Sequence, residues 1–97
     1  MRVCARISDN VLDPEDWNIY ELVFARGRVV EVVVVNPGVY GGSVDDFIGM
    51  TIEQLSDWSR LDATGQHPET YYELAPSPSG PWEGFVSHTT IKEWLGR

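Results

Sequence analysis

From Arg2 to Ser8 apolar and polar side chains alternate, with Val3, Ala5 and Ile7 on one face and Arg2, Cys4 and Arg6 on the other. That period of two predicts a strand with one buried face. Two further β-rich runs, Ile19–Phe24 and Val29–Val35, flank Ala25-Arg26-Gly27-Arg28. Gly27 suits the left-handed position of a three-residue loop built as a type I turn plus a bulge. Such a loop sets Leu22 against Val30 and Tyr20 against Val32, with Phe24 and Val34 on the same face. A two-residue Arg26-Gly27 turn would set Leu22 against Glu31 and mix the faces, so the bulged loop is expected. It also places Glu21 across from Glu31, a repulsion that Arg2 and Arg6 relieve if the first strand joins this sheet. Five of the six residues from Val30 to Val35 are valine. That density predicts a central strand covered on both sides, by this chain or by a partner.

After Asn36-Pro37-Gly38 the period changes. Ser43 caps a short helical segment over Val44–Ile48, and Thr51-Ile52-Glu53-Gln54 reads as a capping box. Ile52, Leu55, Trp58 and Leu61 then form one apolar helical stripe, which Ala63-Thr64-Gly65 closes. Thr70–Leu74 and Trp82–Ser87 read as strands on either side of a proline-rich loop, Pro76 to Pro81. Ser87 or Thr89 caps a last helix carrying Ile91, Trp94 and Leu95 and ending at Gly96. Near the start, Leu12 to Trp17 reads as a single helical turn, with Asp13 at the N-cap and Pro14 at the first position. The element order is three strands, helix, two strands, helix. It predicts an α+β fold, a mostly antiparallel sheet of about five strands with two helices on one face, with residues 1–97 as a single domain.

Charge sharpens this outline. Fifteen acids against seven bases give a net charge of −8. From Ser43 to Glu83 there are eight acids, Asp45, Asp46, Glu53, Asp57, Asp62, Glu69, Glu73 and Glu83, against the single base Arg60. A field of that sign opposes direct binding to nucleic acid or anionic lipid and favours a basic protein surface. No apolar run reaches the roughly 18 residues of a membrane span, and the start does not read as a secretory signal.

Catalytic templates find little purchase. His67 and His88 stand alone, and no HExxH, GxSxG, HxH or CxxC spacing occurs. The glycine-rich stretch Gly38 to Ser43 lacks the lysine of a phosphate loop and runs into Asp45 and Asp46, so it reads as a turn. The lone Cys4 excludes an internal disulfide and fits a reducing compartment, the cytosol. Its flanking arginines would lower the thiol pKa, but its first reading is a small space-filler on a sheet face.

Neither a cofactor nor a metal is expected, and no enzymatic activity. The leading expectation is a non-enzymatic acidic protein-binding module that neutralises a basic-surfaced partner. Immunity proteins, antitoxins and phage-encoded inhibitors of nucleic-acid enzymes work this way, with carboxylates imitating phosphates. Two alternatives stand beside it. One is an assembly subunit that homo-oligomerises through its valine-rich sheet face, as a homodimer for instance. The other is a small ligand binder or enzyme with a pocket lined by Trp, Tyr and a carboxylate.

Overall fold

The computed structural model describes residues 1–8, 17–37, 44–60 and 71–96. Four strands, β1 (Arg2–Ser8), β2 (Asn18–Ala25), β3 (Arg28–Asn36) and β4 (Tyr71–Ala75), form one antiparallel sheet in the order β3-β2-β1-β4. A 3₁₀ turn (Val44–Phe47) and two helices, α1 (Ile52–Trp58) and α2 (His88–Leu95), complete the described elements. The fold is therefore α+β with a four-stranded sheet. The early helical turn expected over Leu12 to Trp17, the glycine-rich stretch and the end of the 52–61 stripe fall mostly outside the described residues.

One face of the sheet builds the core. Val3, Ala5 and Ile7 of β1, Tyr20, Leu22 and Phe24 of β2, and Tyr72 and Leu74 of β4 pack with Leu55 of α1 and with Ile91, Trp94 and Leu95 of α2. Beneath the sheet, Tyr20, Phe47, Trp58 and Tyr72 form a chain of tilted and edge-on ring contacts, with centroids 5.1–5.7 Å apart. These separations suit the ring quadrupoles. Both helices start as the sequence implies. Thr51 and Gln54 make a reciprocal capping box at α1, and Ser87 caps α2 through the Thr90 amide.

The hairpin departs from its expected register. Ala25 faces Arg28 across a two-residue turn in which Arg26 (φ 55°) and Gly27 (φ 78°) both have positive φ. Such a turn matches the right-handed twist of the flanking strands. The mixing of faces it threatened is removed inside the ladder. Phe24 pairs with Val29 and Val23 with Glu31, so Val30 is an extra, bulged residue. Beyond the bulge Leu22 faces Val32 and Tyr20 faces Val34, which restores the apolar pairing two positions from the expected one. Glu21 consequently faces Val33, not Glu31, and pairs with Arg2 instead.

Two further expectations are corrected. β3 is not central: it forms an edge of the sheet, with Val30 54%, Val33 41%, Val34 47% and Val35 44% exposed. Valine suits a strand by propensity alone, and among the described residues no second layer covers these side chains. The fifth strand, Trp82–Ser87, is reduced to one bridge between Leu74 and Glu83. Pro81 has no amide to donate and Gly84 has no side chain to pack, so the ladder stops there. The segment is held by serines of the helical layer: Ser56 donates to the Val86 carbonyl at 2.7 Å, and the Val86 amide donates to Ser59 Oγ at 3.1 Å.

Candidate functional site

The eight acidic residues singled out by the sequence do not share one environment. Asp45 and Asp46 are exposed on the 3₁₀ turn, and Glu53 and Asp57 are exposed on α1, four residues apart and hence on one side of the helix. The 3₁₀ turn lies against β3, and the Gly49–Thr51 connection that follows pairs with the start of that strand. Four exposed carboxylates thus fall within 13 consecutive residues, from 45 to 57, an acidic shoulder that adjoins the start of β3 through Gly49–Thr51. Among the described residues, Asp46, Glu53 and Asp57 have no ion-pair partner. Arg28, which reaches this shoulder, spends one donor on the Gly49 carbonyl at 2.9 Å. Arg60, just past α1, lies 4.2 Å from the centre of the Phe85 ring.

Glu73 and Glu83 lie elsewhere. Glu73 is half-buried on β4 and accepts from both Nε (2.8 Å) and Nη2 (2.5 Å) of Arg6, so its charge is matched. Glu83 is exposed beyond β4, at the opposite edge of the sheet from the shoulder. Asp62 and Glu69 fall outside the described residues.

A second constellation was not read from the sequence at all. On the sheet face away from the helices, the Arg6 guanidinium sits 4.0 Å from the Trp17 ring centre and 4.6 Å from that of Trp82. With the Glu73 ion pair, this wraps the arginine on several sides. The cation–π contacts add to the ion pair and cover the β1–β4 half of that face. Cys4, next to it on β1, is buried and its thiol pKa is pushed up to about 11, by burial first and by the Glu21 carboxylate second. The lowering expected from Arg2 and Arg6 does not occur, because both guanidiniums are engaged by glutamates and the thiol is out of water. A buried thiol held protonated is a poor nucleophile.

Trp17 and Trp94 are buried and Trp58 packs on the core. One hollow of about 230 Å³ opens between the hairpin turn and the ends of both helices, lined by Met1, Phe24, Gly27, Ile52, Lys92, Leu95 and Gly96. Its wall is apolar and carries neither a carboxylate nor a tryptophan. His88 is exposed at the start of α2, and His67 lies outside the described residues. Among the described residues no group of three or more His, Cys, Asp and Glu side chains could hold a metal ion. No described helix is long and apolar enough to cross a membrane. Searches against protein-family models, curated proteins and solved structures found no match to this chain.

Proposed function

We propose that this chain is a non-enzymatic protein-binding module that docks on a basic protein surface through the shoulder carrying Asp45, Asp46, Glu53 and Asp57. The observation that carries this reading is the contrast between two sets of acids. Glu21 and Glu73 on the sheet are matched by Arg2 and Arg6. The shoulder acids are exposed, and the two arginines nearest them are turned to a carbonyl and a ring. Exposed carboxylates, of which Asp46, Glu53 and Asp57 have no ion-pair partner among the described residues, attract a cationic partner at long range and speed the encounter. A nucleic-acid-binding protein or a toxin with a basic cleft is the partner class that fits, the carboxylates standing where phosphates would bind.

A titration of fluorescent decalysine tests this directly. Binding should weaken steeply between about 25 and 200 mM salt, as the screening length contracts. The quadruple neutral variant (Asp45→Asn, Asp46→Asn, Glu53→Gln, Asp57→Asn) should bind far more weakly than a control with Glu31, Glu83 and Glu93 neutralised. Salt-indifferent binding, or equal loss in the two variants, overturns the assignment to the shoulder.

A further inference from the structure

We infer that the edge of β3, which has no strand partner among the described residues, pairs with β3 of a second copy, antiparallel and about a two-fold axis at Val33, joining two four-stranded sheets into one of eight strands. This edge adjoins the acidic shoulder, which begins where Gly49 and Met50 close it off, but the pairing does not depend on what the shoulder binds.

Main-chain direction comes first. The Phe24 amide donates to the Met1 carbonyl, so it faces β1. Alternation along β2 turns the Tyr20 and Leu22 amides the same way, and leaves Glu21 and Val23 to bond with β3. Their partners on β3 are Val33 and Glu31, so Val32 and Val34 direct their N–H and C=O groups to the open edge. Four valines around them, Val30, Val33, Val34 and Val35, are more than two-fifths exposed. An unblocked apolar edge is a template for another strand.

The structure also limits which strand, and in which register. At the start of β3 the edge is taken: the Val29 amide donates to the Met50 carbonyl at 3.0 Å, and the Gly49 amide donates to the Val29 carbonyl at 2.9 Å. An incoming strand must therefore end before it reaches Val29. β3 itself ends at Asn36 and is followed by Pro37. With Val33 on the axis, Val32 faces Val34 of the second copy, Glu31 faces Val35, and Asn36 faces Val30. The second copy's strand thus stops one position short of the blocked residue. Moving the axis to Val32 would drive Asn36 onto Arg28, where Thr51 already pairs. Moving it to Val34 shortens the ladder.

Charge agrees with the same register. β3 itself carries one acid, Glu31, and in this register each Glu31 lies opposite a valine. The two glutamates stand four positions apart along the strand, about 13 Å at the usual strand rise. That exceeds the screening length of about 8 Å at physiological salt. The strand is in this sense its own complement, although the chain as a whole is strongly negative.

Cysteine cross-linking in the full chain tests both pairing and register. The native Cys4 is buried with a raised pKa and stays silent. Val33→Cys places two thiols face to face across the axis, in the wide pair that suits a disulfide. It should give a reducible dimer on mild oxidation. Val30→Cys is more exposed but about 20 Å from its own copy in this register, and should cross-link far less.

Sedimentation of the unmodified chain should show a mass that rises with concentration from 10.9 kDa toward twice that value. Val34→Pro removes an outward amide without touching the β2 ladder, so circular dichroism should be unchanged. It deletes two hydrogen bonds across the axis and should weaken dimerisation about thirtyfold. A monomer at all concentrations would assign the edge to a foreign strand or to none and overturn the proposal. Equal cross-linking of Val30→Cys and Val33→Cys, or a dimer indifferent to Val34→Pro, would overturn it as well.

Discussion

On the sheet face turned away from the helices, the half over β1 and β4 carries Arg6 between two indoles and against Glu73, while the half over β3 shows Val33 and Val35 to solvent. Both halves use strand-forming sequence, yet among the described residues only the first is covered. The cover over β1 and β4 comes from Trp17, at the entry to β2, and Trp82, past the proline-rich loop, so it is assembled from distant sequence. The valines of β3 receive no such cover among the described residues. The difference teaches that a polar residue can be the more buried one. Arg6 is about one-fifth exposed, and Val33 about two-fifths.

Substitutions on the two halves should separate them clearly. The largest effect is expected from Arg6→Ala, which strands Glu73 and removes both ring contacts. Breaking a partly buried pair of this kind costs about 2–4 kcal/mol, read as a lower midpoint in urea unfolding. A loss below about 0.5 kcal/mol would mean that the indoles merely flank the arginine.

An intermediate effect is expected from pH, through Cys4. The folded pKa of about 11 exceeds the ordinary thiol value of 9.0, so above pH 9 the folded chain holds a proton that the unfolded chain releases. The associated stability is fully present below pH 9 and is lost as pH rises toward 11. Between pH 8 and pH 10 the native chain should lose about 1 kcal/mol that Cys4→Ala does not lose. Parallel pH profiles for the two proteins would show that the thiol titrates alike folded and unfolded. The smallest effect belongs to the bare half, where Val33→Thr should change the stability of the isolated subunit by no more than about 0.5 kcal/mol.

Much of the frame was legible because it rests on local chemistry. The alternation of Arg2 to Ser8, the Thr51–Gln54 capping box, and Ser87 with Ile91, Trp94 and Leu95 each specify an element within a few residues. Register and layer order depend on more distant partners. The bulge at Val30 could not be distinguished from a longer loop, since both keep Leu22 opposite a valine. The edge position of β3 follows from β1 taking the other side of β2, which valine content does not encode. Among the acids, those of the 45–57 shoulder are exposed on neighbouring short elements that the sequence marks locally. Glu73 stands apart from them, since its partner Arg6 lies 67 residues earlier in the chain, a pairing that local sequence does not show.

That last separation also orders the assembly of the molecule. β1, β2 and β3 are joined by short connections and can zip together as a meander from residues 2–36. β4 must instead close a loop of more than sixty residues to reach its place beside β1. Loop closure of that length delays pairing, so the meander forms with both margins unprotected until β4 arrives. The Arg6–Glu73 contact is consequently a marker for the final step, and a probe on Trp82 should report folding later than one on Phe24.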